Sequence, residues 1–341
     1  MLMSIQGEPP QLLPLAASVV TLSEPSSEQP IPILYNFPNA LFASVRHLSP
    51  NFRFGTLDVF TSPTHLLDIL RGRTAFIATM LPGGPMLLRV TSLSEIDSAH
   101  QEAGRPRSLG RGQDFEEALT RPSTILPSRH YRAIRCMFGS LFMGIINEID
   151  AWDPRQSHES GCAPFQSSAT CREPKDGFLF SGRLFNNSEL VEIKSMKRPS
   201  RGSMDSRSQI MIRRAWFSRL ERVCLGVIEP KDGSIWIQDR AIDLSKWEMQ
   251  HQLELQRAYV VNPSSQGFTD LYPGYRHTFV RELKAEVAKT STGIVLGLPQ
   301  NKGKTSYWEL YEVNSDRPVF TRAMELAKGM VEYDADKTRA V

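Results

Sequence analysis

Two apolar, strand-like runs, Tyr131 to Phe138 and Leu141 to Asp150, are separated only by Gly139-Ser140, and this pairing constrains the fold more than any other stretch of the chain. A Gly-Ser pair suits a tight hairpin turn, so the runs are expected to lie side by side as antiparallel strands. The second run ends on Glu148-Ile149-Asp150, and a later one, Leu190 to Lys194, ends on Glu192-Ile193-Lys194. Side chains two apart in a strand share a face at ~6.6 Å spacing, which sets Glu148 beside Asp150 and Glu192 beside Lys194. Three carboxylates and one ammonium are thereby able to converge. That set offers oxygen ligands to a hard cation such as magnesium and a lysine to orient or deprotonate an attacking water. The same residues also suit two unrelated surface strands whose charges face water.

The elements around these patterns read as one large α/β (α+β) unit. At 341 residues the chain can bury a sizeable core as one domain or two lobes, and its apolar and charged fractions are ordinary for a globular protein. Residues 1–31, rich in Pro, Ser and Glu, are expected to form an irregular or loosely docked arm, with 32–341 as a single domain. Within it, Thr64 to Leu70 and Gln113 to Leu119 read as helices, and Thr74 to Met80 and Met86 to Val90 as strands. Residues 151–183 lack periodicity and read as a long variable loop. Ser208 to Val223 carries Ile212, Ala215, Trp216, Leu220 and Val223 at helical spacing, and strands follow at Val223 to Ile228 and Ser234 to Gln238. The tail predicts a helix over Tyr275 to Lys289, strands over Gly293 to Leu298 and Ser306 to Val313, and a helix over Val319 to Val331.

Several function classes drop out. Met1 to Pro10 lacks a basic start leading into an apolar core, and Leu12 to Val20 is short and interrupted by Pro14, so neither a signal peptide nor a membrane span is expected. Cys136 and Cys224 sit in apolar contexts and suit a reducing compartment, nucleus or cytosol. Cys162 and Cys171, with His158 nearby, lack the close pairs of structural zinc motifs. The Gly297 to Thr305 stretch resembles a phosphate-binding loop out of register, leads into a strand, and is read as a polar hairpin loop. No nucleophile elbow is present.

Net charge is only +3, but its placement is uneven. Lys194, Lys197, Arg198, Arg201, Arg207, Arg213, Arg214, Arg219 and Arg222 crowd around the second acidic pattern, and Arg129, His130, Arg132 and Arg135 lie ahead of or within the first hairpin. A carboxylate cluster flanked by cations suits a phosphate backbone, the cations neutralising the strand while the acids hold the metal. The alternative is the solvated face of an amphipathic helix and its loop.

Four patterns in order resemble the DXO/Rai-type family of RNA decapping enzymes and five-prime exoribonucleases. Gly112-Gln113-Asp114-Phe115-Glu116 is similar to its Gly-x-x-Phe-Glu helix motif. Ala133-Ile134-Arg135 through Gly139-Ser140 to Glu148-Ile149-Asp150 resembles its next block, and Val191-Glu192-Ile193-Lys194 resembles its Glu-hydrophobic-Lys strand. The segment from Met211 to Ile228 is similar to the following helix and strand. The likeness covers about residues 108–240, weakens over the tail, and is poor over the first hundred residues.

The resemblance implies a mixed two-sheet core flanked by helices, with a PD-(D/E)xK-like nuclease site. It implies Glu116, Asp150 and Glu192 as ligands of Mg2+ or Mn2+, with the Ile193 carbonyl beside the metal and Glu148 acting through water. Lys194 would position the nucleophile, with Glu148 and Glu192 completing the catalytic set. Substrate contacts would fall to Arg135, Lys194, Arg71 and Ser218, the last two in altered contexts. Leu70-Arg71-Gly72 lacks the tryptophan of the family's Trp-Arg-Gly motif, and Trp216-Phe217-Ser218 carries serine where the family has glutamine. The expected activity is metal-dependent hydrolysis at RNA five-prime ends: removal of incomplete or noncanonical caps, pyrophosphate release, or stepwise degradation. Two alternatives stay open, a catalytically weakened paralogue acting as RNA-binding protein or partner of a five-prime to three-prime exoribonuclease, and a DNA endonuclease with the same site architecture. The expected location is the nucleus, with the cytoplasm as a second compartment.

Overall fold

A computed structural model describes residues 2–4, 11–12, 19–20, 41–42, 45, 49–70, 72, 74–80, 83–91, 111–121, 130–158, 185–197, 211, 213–229, 234–246, 273–302, 305–313 and 318–339. Its strands are β1 (Leu2–Ser4), β2 (Gln11–Leu12), β3 (Val19–Val20), β4 (Val59–Thr61), β5 (Phe76–Thr79), β6 (Met86–Val90), β7 (Thr120–Arg121), β8 (His130–Phe138), β9 (Leu141–Ile149), β10 (Ala151–Trp152), β11 (Leu190–Lys197), β12 (Arg222–Ile228), β13 (Ile235–Ala241), β14 (Ile294–Lys302) and β15 (Thr305–Glu312). The helices are α1 (Pro63–Leu70), α2 (Arg111–Leu119), α3 (Pro273–Val287) and α4 (Pro318–Arg339).

These strands form two mixed sheets. The first has eight strands in the order β1-β8-β9-β4-β6-β5-β14-β15, and the second has seven in the order β3-β13-β12-β11-β10-β2-β7. The expected hairpin is present: β8 and β9 run antiparallel, with Phe138 opposite Leu141. Gly139 takes the left-handed conformation that this two-residue turn needs, at φ 61°. In the second sheet β11 runs parallel to β12, which pairs antiparallel with β13.

A helical segment at 213–217 lies between the sheets. Trp216 and Phe217 pack into the core of the first sheet with Phe138, Met143 and Ile145. Ala215 and Leu220 pack into the core of the second with Val223, Leu225 and Ile149. Among the described residues the segment ends earlier than its apolar spacing predicts. Ser218 and Arg219 close it in a turn, Arg219 adopts φ 54°, and Val223 already belongs to β12. Its apolar side chain continues the helical pattern because the core it enters is the same one.

On its other face the first sheet carries α4, whose Ala327, Met330 and Tyr333 meet Phe54, Leu57 and Phe60. Asp334 ties that helix down by accepting hydrogen bonds from the Phe54 and Gly55 amides at 2.8 and 2.5 Å. Within the span expected to be an irregular arm, β1 pairs with β8, β2 with both β10 and β7, and β3 with β13. Strands of two or three residues are too short to leave an alternating pattern in sequence. The Gly297 to Thr305 stretch falls in the β14–β15 hairpin, with Lys302 opposite Thr305. It is not followed by the helix a phosphate-binding loop requires. Cys162 and Cys171 lie outside the described residues, as does most of the 151–183 loop. Among the described residues no helix is long and apolar enough to cross a membrane.

Candidate metal and phosphate site

The site begins where the chain passes from one sheet to the other. β9 ends at Ile149 in the first sheet and β10 starts at Ala151 in the second, so Asp150 is the single residue between them. β10 covers only Leu190 and Val191 of β11, leaving the next stretch of that edge without a strand partner from β10. The Asp150 carboxylate takes over: Oδ2 accepts from the Ile193 amide at 2.8 Å, where a ladder hydrogen bond would otherwise fall. The same oxygen accepts from Lys194 Nζ at 2.7 Å, and Lys194 also donates to the Ile193 carbonyl at 2.8 Å.

α2 brings in the third element. Phe115 is wholly buried against Val191, Ile193, Cys224 and Ile235 of the second sheet. Its ring lies over Gly226, where a Cβ would stand 2.5 Å from Phe115 Cζ, so β12 needs glycine there for α2 to approach. Glu116, next in the helix, thereby faces Lys194, with Oε1 3.4 Å from Nζ. Burial and then the nearby Asp150 charge push the Glu116 carboxyl up to about 7; Lys194 pulls the other way, and Glu148 adds to the rise.

Glu192 completes the cluster from β11. It is fully buried, with Lys194 Nζ at 3.4 Å and Arg214 Nε at 2.9 Å from Oε1. Neither approach is aligned as a hydrogen bond, so both carboxylate oxygens are buried without a donor. Burial raises its pKa first, and Asp150 adds to this, while Lys194 and Arg214 oppose the rise. For Lys194, burial favours the neutral amine, but Asp150, Glu192 and Glu116 together outweigh it and hold the group charged.

Three carboxylates from α2, the sheet junction and β11 thus share one ammonium. Among the described residues no group of three or more His, Cys, Asp or Glu side chains is placed to hold a metal ion, and the Lys194 ammonium lies within 3.4 Å of all three carboxylates. The donor set nevertheless fits a hard divalent cation. It is all oxygen, it already surrounds positive charge, and the two Glu192 oxygens lack donors where burial makes that costly.

The remaining expected residues divide. Glu148 lies close enough for its charge to act on Glu116, and the Ile193 carbonyl faces the lysine. Arg135 is kept away from the cluster. It is exposed on β8 opposite Gly144, four residues and roughly 13 Å of strand before Glu148, and its guanidinium stacks on Phe142 at 4.2 Å. Ser218 is buried, and its hydroxyl donates 2.9 Å to the Arg214 carbonyl, so it closes the helix turn instead of facing a substrate. Arg71 lies outside the described residues. Arg214 was not among the expected site residues. Its sequence signals are its place in the basic run that follows the second acidic pattern and its helical spacing, which sets it on one face with Ser218 one turn on.

A family model described as a domain of unknown function (DUF8563) matches residues 28–263. No match is found among curated proteins. Among solved structures, Candida albicans Rai1 in complex with pU5-Mn2+ is similar over 89% of this chain and 81% of that chain, with 13% identity and a TM-score of 0.54. Scheffersomyces stipitis Rai1 in complex with (3'-NADP)+ and calcium ion is similar over 89% and 78%, with 13% identity and a TM-score of 0.53. Likeness at such identity establishes a common fold. The chain has the DXO/Rai-type fold, and the mixed two-sheet α/β core expected from its sequence is borne out.

Proposed function

The chain belongs to the DUF8563 family of domains of unknown function, and from that footing we propose that it is a divalent-cation-dependent hydrolase acting on RNA five-prime ends. One observation carries the reading: carboxylates from three separate elements gather around a single ammonium at 2.7 to 3.4 Å, and the most buried of them, Glu192, has two cations beside it but no aligned hydrogen bond. Burying that much like charge is costly, and a hard cation is the partner that offsets it best. The fold shared with Rai1 structures, two of them in complex with pU5-Mn2+ or with a dinucleotide and calcium ion, favours RNA ends as substrate.

In this reading Glu116, Asp150 and Glu192 hold Mg2+ or Mn2+, with the Ile193 carbonyl beside it and Glu148 near enough to act through water. The cation, when bound, stabilises developing charge on the phosphoryl oxygens and eases ionisation of water. With the cation in place, Lys194 would keep its ammonium beside the carboxylates and orient the attacking water. Asp150 keeps its hold on the Ile193 amide, which fixes the backbone around the reacting phosphate. α2, wedged on Gly226, sets the depth of Glu116.

The test incubates incompletely capped, triphosphorylated and monophosphorylated RNAs with Mn2+ or Mg2+, comparing wild type with Glu192→Gln. Five-prime products from wild type alone support the proposal. Equal silence of both proteins on every substrate, with RNA binding retained, would leave the second reading, an RNA-binding paralogue or exoribonuclease partner. That reading is favoured by Lys194, which as an internal counter-ion offsets part of the cluster's charge without a metal. We place such work in the nucleus first; a tagged chain excluded from nuclei would count against this.

A further inference from the structure

Arg214 reaches the carboxylates from the helical segment between the sheets, and its guanidinium is under-used. Nε is buried 2.9 Å from Glu192 Oε1 without hydrogen-bond alignment. The group makes no hydrogen bond to any described residue. The terminal nitrogens are not among the buried atoms lacking partners, and the side chain is 22% exposed, so the fork opens to solvent. Ser218, on the same helix face, spends its hydroxyl on the Arg214 carbonyl and leaves that side to the arginine. Lys194, by contrast, is occupied by Asp150, the Ile193 carbonyl and the other two carboxylates.

The geometry points to Arg214 as a phosphate-binding residue that takes the non-bridging oxygens of an RNA phosphate beside Glu192; this rests on the RNA-end reading above. An RNA phosphate entering beside several carboxylates meets repulsion unless a cation with donors to spare stands there. A guanidinium fork meets a phosphate with two parallel hydrogen bonds, which an ammonium cannot reproduce. Glu192 anchors the Nε side through charge and so turns the fork toward the open side.

The experiment titrates a five-prime-phosphorylated pentauridine RNA, dye-labelled at its three-prime end, by fluorescence anisotropy in Ca2+ buffer at several salt concentrations. Wild type is compared with Arg214→Ala, Arg214→Gln and Arg214→Lys, each also in a Glu192→Gln background, with thermal unfolding as the check on folding. The expected result is a 10- to 100-fold weaker Kd for Arg214→Ala, only partial recovery with Arg214→Lys, and the same loss in the Glu192→Gln background. The slope of log affinity against log salt should fall by about 0.7, the value for one lost single-strand phosphate contact. If Arg214→Ala does not fold, Arg214→Gln is read in its place. A variant binding within twofold of wild type, or a loss that vanishes in the Glu192→Gln background, overturns the assignment while leaving the RNA-end reading standing. Wild type that binds no RNA overturns both.

Discussion

Phe115 of α2 rests on Gly226 of β12 so closely that a Cβ added there would stand 2.5 Å from its ring. That contact sets how near Glu116 comes to Lys194. A Gly226→Ala change forces the ring or the helix outward, since Ile235 blocks the other side at 2.8 Å. The expected cost is about 1 to 3 kcal/mol in urea unfolding. A cation-induced rise in melting temperature should shrink with it. An unchanged rise would mean that α2 does not set the site.

Lys194 supplies the positive charge around which the carboxylates assemble, and its removal leaves Arg214 beside Glu192 as the remaining cation. Lys194→Met is expected to destabilise the protein by about 3 kcal/mol in the presence of a chelator. Millimolar Mn2+ should return a substantial part of that loss, because a bound cation replaces the missing charge. Chemical denaturation with and without metal reads both quantities. A loss indifferent to metal would argue against a cation site at these residues.

Asp153 offers a pH dependence away from the site. Its side chain is fully buried, which by itself raises its pKa, but hydrogen bonds from Arg155 and then Arg222 hold it down to about 2. A carboxylate whose folded pKa is depressed adds stability above its unfolded pKa and loses it as pH falls toward the folded value. The contribution is about 2 kcal/mol, present above roughly pH 4 and lost between about pH 4 and 2. Unfolding free energies measured across that range should fall for wild type and flatten for Asp153→Asn.

Arg132 of β8 is buried, and burial lowers its pKa to about 10 against the pull of Glu221. Nη2 meets Asn187, but Nε and Nη1 have no hydrogen-bond partner. An under-satisfied buried cation is a poor stabiliser, so Arg132→Met is expected to be neutral or stabilising by about 1 kcal/mol. A loss above about 3 kcal/mol would mean that the guanidinium is well compensated after all.

Much of the fold was legible because its signals are local. The β8–β9 hairpin follows from two apolar runs and a glycine turn, and β6 was expected with its observed bounds. Less legible were features that depend on what packs where. The helix before β12 was overextended because Leu220 and Val223 serve one core from two different elements. The short strands of the first twenty residues exist only through their partners in the two sheets. Arg135 looked well placed near an acidic pattern, yet strand register holds it on the exposed part of the hairpin against Phe142.

The sequence by itself determined which side chains alternate on each strand, where Glu148, Glu192 and Lys194 fall in that alternation, and that a glycine hairpin leads to the first acidic pair. Only the tertiary structure decided that Asp150 stands between the sheets, that α2 settles on Gly226 to bring Glu116 within reach, and that Arg214 joins Glu192 from the intervening helix. The physical reason is range. Alternation and turn chemistry act between neighbours in the chain, whereas the meeting of these charges is set by two sheets and the helices packed against them, whose residues lie far apart in sequence.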